Sequence, residues 1–262
     1  MKLILFILFS VSVSVYAQDD DLDKLPYNDT PVTATTPNYF IIGGGYTLGY
    51  YSLNVDAYNK LLKDNFLKDN FRLEGFSSGM IMHGGVGYSG IPFISNFRIG
   101  VSSMGGNQVN TNLIDDYNLE QNINIQFTGM NFDYGYILSN HLAILIGSKI
   151  GWGSLDVNII KGNALIEWND INSIIDPNSY NYNINKKFMY FTPSVSLEWA
   201  ATNFLMLRLM ANYNLTFDNP FSSTEENEYI LNNTSKISNI SNDLNNNGFY
   251  FEFGVFLGLF NY

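Results

Sequence analysis

The last fourteen residues of the chain, Phe249 to Tyr262, constrain its fold more than any other segment. Phe249, Phe251, Phe253, Val255, Leu257 and Leu259 share one parity, while Tyr250, Glu252, Gly254 and Gly258 fall on the other. A β-strand sends successive side chains to opposite faces. An unbroken apolar row backed by small and polar residues therefore fits a strand with one face in lipid and the other in a narrow polar lumen.

The N-terminus gives a matching address. Met1-Lys2 is followed by an apolar run from Leu3 to Val15, then by Val15-Tyr16-Ala17 before Gln18. A charged start, an apolar centre and a small residue at the cut predict a secretory signal peptide over residues 1–17. The alternative, an uncleaved anchor, lacks a positive stop-transfer flank. No other run approaches the ~20 apolar residues of a membrane helix. Residues 18–37 are acidic and rich in Pro and Thr (Asp19, Asp20, Asp21 and Asp23, then Pro26, Pro31 and Pro37), which predicts a flexible periplasmic leader.

Composition narrows the class further. The absence of cysteine excludes disulfide scaffolds, thiol catalysis, Cys-ligated zinc and a lipid anchor on an N-terminal Cys. Charged residues are 14% of the chain and aromatics 16%, against the ~25–35% charged residues of a soluble surface. A net charge of −11 argues against nucleic acid and against general adhesion to anionic lipid.

Eight strands are expected, over residues 39–51, 76–89, 96–105, 122–138, 142–157, 187–200, 204–217 and 248–260. Short turns follow the second, fourth and sixth (90–95, 139–141 and 201–203); long polar segments follow the others (52–75, 106–121, 158–186 and 218–247). That alternation predicts an all-β chain: an eight-stranded antiparallel up-and-down transmembrane barrel over residues 38–262, with short periplasmic turns and long extracellular loops. Tyr58, Leu61, Leu62 and Phe66 add helical spacing within 55–74, predicting one short helix in the first loop.

Lipid-facing rows follow from parity: Met130, Phe132, Tyr134 and Tyr136; Leu142, Ile144, Ile146, Ile150 and Trp152; Met189, Phe191, Val195, Leu197 and Trp199; Leu205, Leu207, Leu209, Tyr213 and Phe217. Tyr50, Tyr88, Tyr136, Trp152, Trp199 and Phe249 suit interfacial girdles. Two places resist the pattern. Ile123, Ile125 and Phe127 oppose the parity of Met130 and Phe132, which predicts a bulge near Thr128-Gly129. Pro193 lies inside the sixth strand, where a bulge or break is expected.

The inward parity collects Arg98, Asp133, Lys149, Glu198, Arg208 and Glu252, with His83 as a possible seventh polar group. An eight-stranded barrel is filled by side chains, and enclosed charges must be paired. Three cations and three anions can satisfy one another, so the expected role is a structural plug of ion pairs; a gate, a proton path or a binding cage is the functional alternative. Gly43, Gly45, Gly49, Gly85, Gly87, Gly147, Gly151 and Gly153 are expected inside, making room for large neighbours. The run from Gly43 to Gly49 lacks G-x-G-x-x-G spacing and no helix follows it directly. No G-x-S-x-G motif occurs. Catalysis would require His83 to meet Ser102 or Ser148. His141 falls in a short turn.

These features together resemble the small eight-stranded outer-membrane barrels, the OmpA-transmembrane, OmpX and OmpW-like group. The resemblance spans residues 38–262 and includes the ending Glu252-x-Gly254-x-x-Leu257-x-Leu259, similar to the signal such barrels present to the insertion machinery, with Phe260-Asn261-Tyr262 as an extra tail. It implies an integral protein of the bacterial outer membrane with a structural, adhesive or small apolar-ligand role. Together with the residues, the expectation is a non-enzymatic monomer with a structural or surface-interaction role and no cofactor or metal. Its partners would be outer-membrane lipid, the barrel-assembly machinery during insertion, and an extracellular ligand held by the Asn-, Ser- and Tyr-rich loops at 178–183 and 232–247. A narrow pore or lateral route for small apolar molecules is the transport alternative; a lipid-modifying enzyme is a further one. A soluble lipocalin-like barrel, polar outside and apolar inside, is the rival fold that the inward charges oppose.

Overall fold

The computed structural model describes residues 40–56, 58–60, 75–114, 117–163, 179–218, 228–237 and 246–261. The expected signal peptide and leader lie outside these residues, as does most of the expected helix. Among the described residues there are ten strands: β1 (Phe40–Ser52), β2 (Gly79–Gly90), β3 (Phe97–Ile114), β4 (Tyr117–Ser139), β5 (Leu142–Asn163), β6 (Tyr180–Thr202), β7 (Leu205–Phe217), β8 (Tyr229–Leu231), β9 (Ser235–Ile237) and β10 (Gly248–Asn261). Each pairs antiparallel with its neighbours, and β10 closes on β1 while β5 joins β6. The ring thus contains eight strands, β1 to β7 and β10, with β8–β9 attached as a hairpin to the far end of β6. This is the architecture of the small eight-stranded outer-membrane barrels, and closure removes the exposed edges that no membrane sheet can carry.

Outside β2, whose inward row is the even-numbered one and not the row of His83, Gly85 and Gly87, parity is kept as expected around the ring. Arg208 and Glu252 are buried, whereas Phe253 and Leu209 on the same strands are about half exposed. Ile146, Trp152, Val195, Trp199, Phe251 and Leu257 are all exposed on the outer face. Such a belt is stable only against hydrocarbon. Two residues of the expected lipid-facing rows and girdles depart from their places. Tyr88 turns inward, with the Arg98 guanidinium 4.1 Å from its ring centroid, so it belongs to the lumen and not to a girdle. Met189 keeps outward parity but is buried, with Trp152 and Phe217 as its cross-strand neighbours.

The strands are longer than expected. Residues 106–121 are no long loop: β3 and β4 continue in register to Ile114 and Tyr117. Residues 158–163 extend β5, and the Asn/Tyr-rich segment from Tyr180 is strand. A membrane strand needs about 9–11 residues, whereas β4 and β6 have 23 each and β5 has 22. At ~3.3 Å per residue, these three strands run about twice the length the bilayer requires.

That length explains the apparent phase change in β4, where no bulge exists near Thr128-Gly129. Pairing with β3 and β5 is continuous through both residues, and the alternation of buried and exposed side chains never slips. Instead the environment changes: Ile123, Ile125 and Phe127 occupy the same inward row as Asp133. Bulges do occur, at Ile137/Ser139 and Ala200/Thr202, next to the short turns. Pro193 causes no shift of register either. The β6–β7 rungs at Thr192 and Pro193 are missing, yet pairing resumes in phase at Phe191 and Ser194.

Candidate functional site

The lumen is stacked in layers, which the inward rows deliver in order along the strands. At the turn end, Ile41, Tyr88, Leu145, Met206, Phe256 and Phe260 form a compact apolar floor. A Cβ on Gly45 would stand 2.5 Å from the Phe256 ring, and one on Gly49 2.6 Å from Tyr250. These inward glycines make the space that the aromatic rings fill.

Above the floor lie the six inward charges. Arg98 and Asp133 face each other across β3 and β4, at 3.0 Å between Nε and Oδ2; Glu198 and Arg208 do so across β6 and β7, at 3.4 Å between Oε1 and Nε. The two cross-strand pairs meet in the lumen: Arg98 Nη2 lies 2.6 Å from Glu198 Oε1, and Arg208 Nη2 lies 3.1 Å from Asp133 Oδ2. The result is a closed quartet of two guanidiniums and two carboxylates. Lys149 forms a second, separate pair with Glu252, at 2.9 Å. All six side chains are buried. Every charge has an opposite charge within contact distance, which removed water would otherwise supply.

Next come neutral polar groups. Ser102 Oγ donates to Asn131 Oδ1 at 2.9 Å, Thr192 donates to Asn214, and Asn212 Nδ2 donates to the Tyr250 carbonyl at 3.2 Å. A cavity of about 20 Å³ lies here, lined by Lys149, Ser102, Tyr250, Met82 and Met104. It has room for about one water molecule. The Tyr250 hydroxyl donates to the Met104 sulfur.

The loop end holds a larger apolar cluster, including Ile123, Ile125, Phe127, Leu155, Ile159 and Phe188. Phe127 packs edge-on against Tyr51, Phe188 and Tyr190, with centroids 5.3–5.7 Å apart. Loop residues close it from above. Asn59 N–H donates to the Val55 carbonyl at 2.8 Å in the one described turn of the expected helix, and Tyr58 points into the cluster, where burial pushes its hydroxyl well above the usual tyrosine range. Tyr58 Oη donates to Asn246 Oδ1 at 2.6 Å, and Tyr51 donates to the Asn246 carbonyl. Tyr229 of β8 approaches Tyr58 Oη at 3.5 Å. The first and last long segments are thus tied together over the barrel mouth.

His83 is not a lumen residue. It lies on the outward row of β2, exposed and stacked on Tyr46 at 6.3 Å between centroids. Its expected neighbours Gly85 and Gly87 share that outward row, because β2 turns its even-numbered residues inward. Ser102 faces into the lumen and Ser148 lies on β5, so neither meets His83. His141 is exposed in its turn. Among the described residues no group of three or more His, Asp or Glu side chains could hold a metal ion. The loop-end apolar cluster was the part of the lumen that strand periodicity concealed. Its signal was present all the same: counting parity straight through β4 places Ile123, Ile125 and Phe127 inside.

No family model and no curated protein matches the chain. Among solved structures, Ail, the attachment invasion locus protein of Yersinia pestis, in complex with the heparin analogue sucrose octasulfate, aligns over 87% of this chain and 100% of its own at 6% identity and a TM-score of 0.42. A second structure of Ail aligns over the same shares at 7% identity and a TM-score of 0.35. The outer membrane protease OmpT from Escherichia coli aligns over 86% of this chain and 95% of its own, at 10% identity and a TM-score of 0.26.

Proposed function

We propose that this protein is a closed barrel of the bacterial outer membrane with a structural or surface-interaction role, its lumen plugged by the paired charges and its long segments presented outside. In this reading residues 1–17 are removed on secretion, residues 18–37 form a periplasmic leader, and the C-terminal strand is presented to the assembly machinery. The barrel works as a monomer among outer-membrane lipids.

The observation that carries the reading is the order of the lumen. A charge-balanced layer lies between two apolar clusters, and the described cavity beside it has the volume of about one water. A conducting pore needs a continuous wet path. The bonded contacts among Tyr51, Tyr58 and Asn246 give the mouth a fixed platform from which loops can engage a ligand.

Planar-bilayer recording of the purified full chain tests the plug: the expected result is no unitary conductance, and reproducible conductance steps would refute it. Deleting residues 61–74 or 238–245 tests the surface role. Cells carrying a normally inserted deletion variant should lose adhesion or ligand capture; unchanged surface behaviour would count against it.

One feature favours a lateral route for small apolar molecules as a second reading. The missing rungs at Thr192 and Pro193 leave a seam between β6 and β7 at the height of the polar layer. A Pro193→Val variant would restore a donor there. If that variant abolishes uptake of an apolar probe while the barrel still folds, the seam reading stands.

A further inference from the structure

The outward face of the long strands above the lipid belt carries a regular array of amides. Register aligns Asn124 of β4 with Asp156 of β5 and Asn185 of β6 in one row, and Asn122, Asn158 and Asn183 in the next on the same face. All six are partly exposed. Neighbouring strands in a sheet are ~4.8 Å apart, so each row presents polar groups at a spacing on the scale of one sugar ring. The array is held in place from within: Asn183 Nδ2 donates to Asn158 Oδ1 at 2.6 Å, and Asn185 Nδ2 donates to Asn183 Oδ1 at 3.2 Å and to Asn233 Oδ1 of the β8–β9 turn at 2.7 Å. Asn232 and Asn233 adopt positive φ (51° and 59°), a conformation that asparagine tolerates better than most residues and that brings their amides to the strand.

Its place on the wall identifies what it meets. The same strands carry Met130, Trp152 and Phe191 in the lipid belt a few residues closer to the turn end, all exposed. One polar set, Gln126, Ser154 and Lys187, separates the rows from the apolar belt, and the rows face sideways, toward neighbouring lipid, as the belt does. Each amide both donates and accepts, as a hydroxyl does. Phosphate would call for clustered Arg or Lys; these six positions include no cation and one carboxylate, and the adjoining outward set adds a lone lysine, Lys187, beside Gln126 and Ser154, not a cluster.

From this we infer that the outward amide rows of β4, β5 and β6 bind the neutral, hydroxyl-rich saccharide headgroups of membrane lipids beside the barrel. The inference rests on the membrane reading above. Preformed bonds within the array reduce the ordering cost of binding, and the adjoining belt would hold the lipid's acyl chains, so headgroup and chains would be engaged together.

The test uses the full chain in vesicles of phosphatidylethanolamine doped with a neutral glycosyl diacylglycerol, or with phosphatidylglycerol in its place. Native mass spectrometry after gentle detergent extraction counts the lipids retained. Wild type should keep the glycosyl lipid over phosphatidylglycerol by about fivefold, as expected from roughly one net hydrogen bond. The triple variant N124A/N158A/N183A, folded by its gel shift on heating, should lose that preference. The free sugar headgroup should bind far more weakly than the lipid. Equal retention by wild type and variant overturns the inference, as does a preference for phosphatidylglycerol, tighter binding of free sugar, or a wild-type dimer that the triple variant abolishes. Failure of the wild-type chain to insert, seen as the absence of any heat-dependent gel shift, would sink the membrane reading itself. Insertion without sugar preference sinks only the inference.

Discussion

The two halves of β4, β5 and β6 obey one geometry in opposite solvents. Near the turns, the outward row is Met130, Ile146 and Val195 and the inward row is Asp133, Lys149 and Glu198. Near the loops, the outward row is Asn124, Asp156 and Asn185 and the inward row is Ile125, Leu155 and Ile184. Neither the register nor the two-residue period changes between them. Only the medium outside does. A side chain's hydrophobicity thus reports which solvent its row meets, whereas parity alone reports which way it points. The rival architectures, a membrane barrel with a polar lumen and a soluble barrel with a greasy one, are joined end to end in one wall.

The largest expected effect comes from disturbing the polar core of the membrane half. Glu198→Ala would remove a carboxylate that Arg98 and Arg208 share and leave two guanidiniums facing one carboxylate, an excess of buried positive charge, at a cost of about 3–5 kcal/mol. Urea unfolding in detergent micelles should show the midpoint fall sharply. The double variant E198L/R208L removes one charge of each sign and keeps the Arg98–Asp133 pair, so it should be markedly less destabilised than the single. A double variant as unstable as the single would mean that the quartet is not the unit of stability.

The next effect belongs to the belt. Ile146→Arg places a cation against hydrocarbon, which costs about 2–4 kcal/mol near the bilayer midplane. Folding yield into vesicles should drop, and least so in vesicles of the shortest acyl chains, where the belt is thinnest. Indifference to the substitution would place Ile146 outside the membrane.

These contrasts show why the sequence was legible in one half and misleading in the other. Strand number, ring closure, turn positions and the six charged lumen residues follow from alternation once lipid is taken as the outer solvent. That same assumption made Ile123, Ile125 and Phe127 look out of phase and suggested a bulge that does not exist. It also turned the polar outward rows of β3, β5 and β6 into loops, since Asn-rich stretches have weak strand propensity and only pairing with their neighbours makes them strands. His83 was misplaced for a related reason. The even row of β2, Met80, Met82, Val86 and Tyr88, is the apolar one, so taking lipid as the outer solvent sends it outward and leaves His83 on the inward parity, whereas the structure buries that apolar row in the lumen. The pairing of Arg98 with Glu198 and of Lys149 with Glu252 joins strands that are not neighbours, and no periodicity reaches across a lumen.

A smaller effect is expected where the loop-end half is tied shut. Tyr58→Phe removes the hydroxyl that donates to Asn246 Oδ1 and leaves that buried oxygen short of a partner, at about 1–3 kcal/mol. The loss should stay local: limited proteolysis between residues 52 and 79 should accelerate while the heat-dependent gel shift is unchanged.

The smallest effect is the sharpest test of the comparison. Asn107 lies on the outward row of β3, opposite Asn124 and beyond the apolar belt. Ile146 and Asn107 point the same way from the same wall, and both are exposed. Placing arginine at either position asks one question of two solvents. In water an exposed arginine costs little, so Asn107→Arg should change stability by no more than about 0.5 kcal/mol, measured in the same micelles and by the same urea titration as Ile146→Arg. The gap between the two substitutions measures the change of medium along one wall. If Asn107→Arg costs as much as Ile146→Arg, lipid covers both positions, the long strands tilt far more than the barrel geometry requires, and the amide rows beside Asn107 face hydrocarbon instead of headgroups.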